Sequence, residues 1–339
     1  MKLLIITQKV DKNDSILGFF HNWIEKISKK YAFITVICLE KGAYSLPKNV
    51  KILSLGKENK QSKFSYFVNF YKYIWQERKN YDSIFVHMNQ IYILLGGFFW
   101  RLNSKRIALW RNHPKGNIIT NIAVTMSDIV FCTSPLSYTA RFKKTKLMPA
   151  GIDTEIFKRN PNIQKIENSI LLLGRISPIK NVEVFIKSLG ILKKKHVTFE
   201  ANIIGGFIKN DEEYYNRMKL LTKKLHLEKN INWIKEVSNN ETPAIYNKND
   251  IFINLTPSGS LDKTILEAMA CENTTIVSNS YFNDKLSSKF TFQENNPADL
   301  AQKIIQNMSD RTRSIEAKEL RNYVILNHSL NKLIIDLNI

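Results

Sequence analysis

The chain has 339 residues, 44 % of them hydrophobic, and a formal net charge of +20. This length suits two domains of about 150 residues each, and the apolar content excludes a fibrous or wholly disordered chain. The charge favours anionic partners such as nucleic acid, phosphorylated small molecules or an anionic membrane face, unless it reflects only a lysine-rich surface.

The cysteines and the apolar segments indicate the setting of the protein. Cys38, Cys132 and Cys271 lie far apart, and no Cys/His cluster has metal-ligand spacing. We therefore expect reduced, buried thiols in a cytoplasmic protein. The apolar start is too short for a signal peptide, and the apolar run at residues 92–100 is about half as long as a bilayer span requires. We therefore predict no membrane-spanning segment.

Short apolar runs alternate with helical patterns along the chain. The first six strands are predicted at residues 2–7, 33–38, 51–54, 82–87, 106–110 and 129–132, with helices such as 17–29 and 64–78 between them. Five more strands are predicted at residues 169–173, 199–204, 230–234, 250–254 and 274–278. Runs of this kind, without polar alternation, are typical of strands buried on both faces of a parallel sheet. The pattern predicts an α/β protein with two doubly wound, Rossmann-like domains facing a central cleft.

A polar stretch at residues 158–162 separates the two series of strands. It predicts an N-terminal domain at residues 1–158 and a second domain at residues 159–327. In open parallel sheets ligands bind beyond the carboxyl ends of the strands, so the chemistry is expected in the loops that follow them.

The loop after residues 169–173 carries Gly174, Arg175 and Lys180 in front of a helical pattern. The glycine lets the chain turn, and the two cations flank a helix N-terminus with free N–H groups. Together these features predict a diphosphate site. The alternative is that both cations are solvated surface residues.

The loop after residues 250–254 is rich in serine and glycine and opens into a second helical pattern. Its polar members are Ser258, Gly259, Ser260, Lys263 and Thr264, and Glu267 follows on the helix. The turn amides predict a second phosphate-binding nest, and Glu267 could accept hydrogen bonds from ribose hydroxyls. The alternatives are helix capping by the serines and a dipole contact by Glu267.

Three ordered motifs resemble glycosyltransferase family 4, whose members are retaining enzymes of the GT-B fold. The motifs are residues 149–157, the pair Gly174-Arg175 with Lys180-Asn181, and residues 266–270. The resemblance implies that Arg175 and Lys180 hold the donor phosphates and that Glu267 binds the ribose. It also implies that Glu236 and Val237 contact the base.

The resemblance extends to the N-terminal half only in outline, as expected for an acceptor-binding domain. It implies that Gly18 lets this domain approach the donor phosphates and the sugar. His113 would lie beside the transferred sugar, with a core or surface histidine as the alternative. By the same resemblance, the helix at residues 328–339 would pack back onto the N-terminal domain.

The chain departs from the family at one position. Many members carry two glutamates in the last motif, but the residue eight positions before Glu267 is Gly259. Asp262 is the candidate to replace the first glutamate at the sugar hydroxyls.

The expected function is retaining transfer of a sugar from a nucleotide-sugar donor. No D-x-D acidic pair lies near a strand end, so neither a metal nor a cofactor is expected. Clusters of aromatic and basic residues at 64–75 and 94–101 prompt the hypothesis of peripheral binding to the inner membrane face, with a lipid-linked sugar or glycolipid as acceptor. Buried helix faces are the alternative explanation of these aromatics.

Three rival functions compete with sugar transfer. The net charge suggests a nucleic-acid-binding protein, but no nucleic-acid-binding motif is recognisable, so a nucleic-acid partner is not expected. The second rival is a sugar-nucleotide epimerase of similar fold. The third is a homologue that binds nucleotide without activity, which the glycine at position 259 suggests.

Overall fold

The structure is a computed structural model that describes residues 1–259, 261–310 and 312–339. The chain divides into two compact units, Met1–Gly151 with Leu330–Ile339, and Ile152–Ser329. Among the residues so described, no helix is both long and apolar enough to cross a membrane.

The first unit is built on a seven-stranded parallel sheet in the order β3-β2-β1-β4-β5-β6-β7. Its strands are β1 (Lys2–Val10), β2 (Phe33–Lys41), β3 (Val50–Ser54), β4 (Ser83–His87), β5 (Arg106–Trp110), β6 (Ile129–Cys132) and β7 (Thr145–Leu147). Its first four helices are α1 (Gly18–Ser28), α2 (Lys63–Gln76), α3 (Ile91–Leu102) and α4 (Ile118–Met126).

The central strands of this sheet are buried on both faces. Leu3 and Ile5 of β1 belong to one apolar cluster, whereas Leu4 and Ile6 belong to another. Successive side chains of a strand point to opposite faces, so each residue of β1 contributes to one of two cores. Each such side chain contributes about 1.5–3 kcal/mol when fully buried.

The second unit contains a five-stranded parallel sheet in the order β10-β9-β8-β11-β12. Its strands are β8 (Ser169–Leu173), β9 (Glu200–Ile204), β10 (Ile231–Ile234), β11 (Ile251–Asn254) and β12 (Thr274–Val277). Its helices are α5 (Val182–Lys194), α6 (Glu212–Lys224), α7 (Thr242–Lys248), α8 (Lys263–Ala270), α9 (Pro297–Ser309) and α10 (Arg313–His328). Both units are Rossmann-like, as the sequence predicts.

The last helix, α11 (Leu330–Asp336), belongs to the first unit. Leu330 and Leu333 are buried in the same cluster as Trp23 of α1. The Lys30 Nζ donates to the carbonyl oxygens of Ile334 and Leu337 at 2.8 and 3.0 Å, which satisfies acceptors near the end of this helix.

The first unit ends at Gly151, whereas the sequence predicts a boundary at residue 158. Residues beyond Gly151 already pair within the second unit. Ile152 forms a parallel bridge with Ser329, and the Phe157 ring lies 6.2 Å from the Tyr246 ring. The polar segment at residues 158–162 therefore lies a few residues beyond the boundary, because Ile152 and Phe157 before it are buried and already contact residues of the second unit.

The three cysteines are buried and form no disulfide. Burial raises the pKa of each of the Cys38, Cys132 and Cys271 thiols above its usual value, to about 12 for Cys38. All three thiols are therefore protonated near neutral pH and have low reactivity.

Candidate functional site

Two loops follow the neighbouring strands β8 and β11 of the second sheet. The chain fills the sheet from β8 outward to β9 and β10, then returns to the other side of β8 with β11. The β8/β11 junction is thus the point where the strand order reverses, and such switch points form ligand crevices at the carboxyl ends of the strands. The two motifs predicted to bind phosphate lie on these two loops.

An ion pair joins the two loops. Lys180 ends a short 3₁₀ turn after β8, and its Nζ pairs with Oδ2 of Asp262, the residue before α8. The same Nζ donates to Thr256 Oγ1 at 3.0 Å, and that hydroxyl donates to Asp262 Oδ2 at 2.8 Å. The Lys180 ammonium is therefore fixed between the loops by two side chains of the second loop.

Asp262 is the N-cap of α8 and is almost buried, with its side chain 12 % exposed. The amide and hydroxyl of Thr264 donate to its Oδ1 at 3.2 and 3.0 Å, and Asn254 Nδ2 donates to its Oδ2 at 3.1 Å. Burial alone would raise the pKa of Asp262. The charge of Lys180 and the hydrogen bonds from Lys180, Thr256 and Asn254 outweigh burial and hold this pKa below its usual value. Asp262 is therefore ionised near neutral pH.

This arrangement differs from the expectation that Asp262 reaches sugar hydroxyls. Both carboxylate oxygens already accept hydrogen bonds from Lys180, Thr256, Asn254 and Thr264. The side chain thus orients Lys180 and caps a helix, because the polar residues around it saturate its acceptors.

Arg175 lies on the surface after Gly174. Within the described part of the chain, its guanidinium has no hydrogen bond or ion pair. The first loop therefore presents two cations. Lys180 is held by Asp262, whereas Arg175 remains available to bind an anion.

Two glycine positions allow the first loop to turn sharply. Gly174 has φ +147°, a conformation that favours glycine. A Cβ atom placed on Gly205, after β9, would lie 1.9 Å from the carbonyl oxygen of Gly174. Only glycine fits at position 205, and the close backbone approach fixes the start of the Arg175 loop.

Ser258, on the second loop, is engaged by an acidic residue from elsewhere in the fold. The amide and hydroxyl of Ser258 donate to Glu294 Oε1 at 2.9 and 2.7 Å. The Ser280 amide donates to the Ser258 Oγ at 2.9 Å. The predicted phosphate nest therefore has one amide already bound to a carboxylate. Gly259 has φ +118°, consistent with a tight turn, and Ser260 lies outside the described residues.

Glu267 lies on α8 and is 5 % exposed. The hydroxyl of Tyr246, on α7, donates to its Oε2 at 3.1 Å. Burial raises the pKa of Glu267, and the positive charge of Lys263, one turn earlier, opposes this shift. Burial lowers the pKa of Lys263 in turn. The carboxylate is thus oriented from one side by Tyr246 and faces a lysine along its own helix.

Glu236 and Val237 follow β10. Glu236 is exposed and Val237 partly buried. A Cβ atom on Gly206 would lie 2.7 Å from Glu236 Oε2, so Glu236 stands directly beside the loop after β9. These two predicted base-contacting residues thus lie at the same sheet edge as the phosphate loops.

Gly18 and His113 lie in the first unit. Gly18 is the first residue of α1, and its amide donates to the Asp14 carbonyl at 3.1 Å. His113 is exposed, and its Nδ1 is 3.0 Å from Lys115 N and 2.7 Å from Lys115 O. With Arg111 and Asn112, His113 lines an open depression of about 330 Å³ at the carboxyl ends of β4 and β5.

Across residues 1–259, 261–310 and 312–339, no three His, Cys, Asp or Glu side chains gather as ligands of a metal ion would. The polar groups at the β8/β11 junction are instead two cations, hydroxyls, amides and one carboxylate, Asp262, whose oxygens are already occupied by Lys180 and neighbouring donors. This donor set suits anionic oxygens.

Comparison with known proteins identifies the family. The sequence pattern of the family "Glycosyl transferases group 1" matches residues 153–327, which is more than half of the chain. The chain belongs to this family. The matched residues contain both loops described above, so this glycosyltransferase carries its family signature on the unit that holds Lys180, Asp262 and Glu267.

One curated relative matches part of the chain. The glycosyltransferase is 25 % identical over 182 residues to the alpha-monoglucosyldiacylglycerol synthase of Streptococcus pneumoniae. That match spans 48 % of this chain and 40 % of the relative, less than half of either protein.

Solved structures resemble the whole chain in fold. HepE of Anabaena, crystallised with UDP, has a TM-score of 0.78 at 16 % identity and covers 99 % of this chain and 98 % of its own. Sucrose-phosphate synthase of Thermosynechococcus elongatus has a TM-score of 0.78 at 13 % identity, over 99 % and 97 % of the two chains. The predicted GT-B fold class is confirmed.

Several residues of the site are not among the sequence predictions. Asn254 and Thr256 complete the Lys180–Asp262 network, Tyr246 orients Glu267, and Gly205 fixes the first loop. The Gly205-Gly206 pair after a predicted strand is a sequence signal that another backbone segment passes close to it. Tyr246 has no such signal, because a tyrosine on an amphipathic helix predicts only a core position.

Proposed function

We propose that this glycosyltransferase moves a hexosyl group from a nucleotide-sugar donor to an acceptor with retention of anomeric configuration. The observation that carries the proposal is the placement of Lys180, held by Asp262 and Thr256, on the same short loop as the available Arg175. Two cations at a switch point of a parallel sheet match the diphosphate of such a donor.

In the proposed reaction, the bond between the anomeric carbon and the diphosphate oxygen breaks, and a bond to an acceptor oxygen forms. The bonding pair leaves with the nucleoside diphosphate, and a diphosphate oxygen takes up the proton that the acceptor hydroxyl loses. Arg175 and Lys180 oppose the negative charge that grows on the leaving group, and each is expected to contribute about 2–4 kcal/mol to the barrier reduction. In this scheme the two side chains supply the positive charge, and no metal is invoked.

We assign Asp262 as a positioning residue that acts through Lys180. Its carboxylate lies in the ion pair and in the cap of α8, so neutralising it would release the ammonium from its fixed place. The sugar hydroxyls are then recognised by other groups. Two predictions of the family resemblance remain: Gly18 lets the N-terminal domain approach the donor phosphates and the sugar, and His113 lies beside the transferred sugar.

We extend the donor assignment to the nucleoside. Glu267, oriented by Tyr246, is proposed to accept hydrogen bonds from the ribose, and Glu236 and Val237 are proposed to flank the base. The HepE structures contain UDP and UDP-glucose. A uridine donor is therefore the first to test.

For the acceptor we propose a lipid-linked sugar or a glycolipid used in cell-envelope polysaccharide or glycan synthesis, reached by peripheral binding to the inner membrane face. The net charge of +20 supports attraction to anionic lipid. The name of the streptococcal relative, a glucosyldiacylglycerol synthase, supports a lipid acceptor.

The test is product formation from UDP-glucose and related donors with diacylglycerol or glycolipid acceptors, with the anomeric configuration of the product read by NMR. Arg175→Ala and Lys180→Ala should each reduce turnover at least a hundredfold. This loss corresponds to an activation free energy raised by about 3 kcal/mol, since each factor of ten is about 1.36 kcal/mol. Lys194→Ala, an exposed lysine at the end of α5, is the matched control and should keep full activity.

Other outcomes would redirect the proposal. Conversion of the donor without any acceptor would indicate an epimerase. Nucleotide binding with no turnover would indicate a homologue that only binds. Near-normal turnover in a folded Arg175→Ala or Lys180→Ala protein would remove that residue from the proposed mechanism.

A further inference from the structure

Helix α2 carries an apolar stripe on each of two sides. Phe70 and Ile74 are 1 % exposed and pack into the core of the first unit. Another stripe faces solvent, and Phe64 in it is 75 % exposed. The members of this stripe recur at the spacing of one helix face: Phe64, Phe67, Val68, Tyr71 and Trp75.

The neighbouring helix α3 extends this apolar area. The Tyr71 hydroxyl donates to the Leu95 carbonyl at 2.8 Å, and the Trp75 and Phe99 rings lie 5.9 Å apart. On the same helix, Phe98 is 71 % exposed, and Leu102 is exposed to a similar degree. We call the combined set the aromatic surface: Phe64, Phe67, Val68, Tyr71, Trp75, Phe98 and Leu102.

An exposed area of this composition is unusual for a protein surface. Single exposed apolar residues are ordinary, but contiguous apolar patches mark places where another surface docks. Buried helix faces account for Phe70 and Ile74 but not for the residues of the aromatic surface. Core packing therefore explains only part of the aromatic cluster at residues 64–75.

The charged residues on α2 and α3 are all basic, and the acidic residue Asp128, before β6, pairs with Arg101 at 3.5 Å. Neither α2 nor α3 contains Asp or Glu, whereas Lys63, Lys72 and Arg101 lie on them. Arg78 follows α2, and its guanidinium stacks on the Trp75 ring at 4.3 Å from the ring centre. Glu77, the acidic residue between the end of α2 and Arg78, is buried and paired with Lys51.

Aromatic side chains bordered by lysine and arginine match the interface of an anionic bilayer. Trp and Tyr favour the level of the lipid headgroups, and basic residues nearby gain from the negative surface potential. A helix of 14 residues such as α2 is too short to span a bilayer but can lie in the plane of its surface.

We propose that the aromatic surface docks on an anionic lipid bilayer, with α2 and α3 lying at the headgroup level. This inference rests on the proposed function, because a lipid acceptor is what brings the glycosyltransferase to a bilayer. It deepens that function by naming the surface of the first unit that makes the contact.

The experiment is flotation of the full chain with vesicles of phosphatidylcholine alone or mixed with phosphatidylglycerol. The triple variant Phe64→Ser/Trp75→Ser/Phe98→Ser removes three exposed side chains. The matched control is Leu220→Ser/Ile315→Ser/Leu326→Ser, which removes similarly exposed residues of the second unit. Circular dichroism and thermal unfolding should show that both variants are folded, since none of the six side chains is buried.

The wild type and the control should float with phosphatidylglycerol vesicles, and the triple variant should lose at least nine-tenths of that binding. Lys63→Gln/Lys72→Gln should weaken binding severalfold, and added salt should reduce the difference from wild type. Equal binding of the triple variant and the wild type would overturn the proposal. Wild-type dimers that become monomers in the triple variant, with no vesicle binding, would overturn it in favour of a second copy.

Sugar transfer to a water-soluble acceptor separates this inference from the proposed function. The triple variant should keep normal transfer to such an acceptor while losing vesicle binding. Vesicle binding through this surface in a protein that transfers no sugar would retain the docking surface and reject the proposed function. Sugar transfer by a wild type that never binds vesicles would retain the proposed function and reject the docking surface.

Discussion

The Lys180 ammonium and the Asp262 carboxylate are 82 residues apart in the chain and form the ion pair that joins the loops after β8 and β11. Asp262 is almost buried, and Lys180 is its cationic partner. The pair fixes a positive charge at the switch point of the sheet while the neighbouring Arg175 stays available. Removing either member should therefore change both stability and anion binding.

Lys180→Ala should destabilise the folded protein by about 1–3 kcal/mol near neutral pH, because it leaves the Asp262 carboxylate buried without its cation. In the wild type the pKa of Asp262 is lowered by folding. Its contribution to stability is present above the unfolded pKa and disappears as pH falls through the lower, folded pKa. In the variant, burial without Lys180 favours the protonated acid.

The stability difference between wild type and Lys180→Ala should therefore be largest near pH 7. It should shrink as pH falls below about 4, the ordinary pKa of an aspartic acid, toward the lower pKa of Asp262 in the folded wild type. Urea unfolding at a series of pH values measures it. Lys187→Ala is the control, since it breaks an exposed pair with Glu183 and should cost about 0.5 kcal/mol or less. A difference that does not vary with pH would contradict the assigned charge state of Asp262.

Gly205→Ala should destabilise the second unit and weaken nucleotide binding together. The new Cβ would lie 1.9 Å from the Gly174 carbonyl oxygen, so the backbone of the Arg175 loop must move. We expect a loss of about 2–4 kcal/mol, within the range seen for strained and overpacked sites.

Gly190→Ala provides the comparison, because Gly190 lies inside α5 and the nearest atom to its Cβ is the side-chain end of Leu225 at 3.1 Å. Replacing a helix glycine by alanine should be neutral or stabilising by up to about 1 kcal/mol. Calorimetry and nucleotide titration of both variants are the measurements. If Gly205→Ala were as stable as the wild type, the close approach of the backbone at Gly205 to that at Gly174 would not be required for stability.

Glu267→Gln should weaken binding of a nucleoside diphosphate by about 10-fold, since the amide oxygen still accepts a hydrogen bond but a hydrogen bond to a charged acceptor contributes about 1 kcal/mol more than one to a neutral acceptor. The loss should be absent for the 2′,3′-dideoxy form of the same nucleotide, which has no ribose hydroxyls to donate. Tyr246→Phe keeps the carboxylate but removes the hydroxyl 3.1 Å from it, and should have a smaller effect. Isothermal titration calorimetry with both ligands is the measurement, and an equal loss for both would rule out ribose as the partner of Glu267.

Much of the fold is predictable from local pattern. Parallel strands buried on both faces appear as uninterrupted apolar runs, so eleven predicted strands coincide with β1–β6 and β8–β12 to within a few residues. Thr145–Leu147, strand β7, is not predicted, because it has three residues, lies at the sheet edge and is largely exposed. An edge strand of this kind lacks the apolar run that identifies the others.

The site is predictable only in part. Gly174, Arg175 and Lys180 follow a strand and precede a helix, so their common loop can be read from the sequence. The pairings of Lys180 with Asp262, of Glu267 with Tyr246 and of Ser258 with Glu294 cannot. Each joins separate elements, and which side chains meet depends on how helices and loops pack onto the sheet.

The most direct test is a thermal-shift titration with UDP, GDP and ADP, carried out on the wild type and on Arg175→Ala/Lys180→Ala. A ligand that binds only the folded state stabilises it by about 2.7 kcal/mol at a hundred times its dissociation constant, which raises Tm measurably. One nucleotide should raise the Tm of the wild type and leave that of the folded double variant unchanged. An equal rise in both proteins, or no rise with any nucleotide, would contradict a diphosphate site on the loops after β8 and β11.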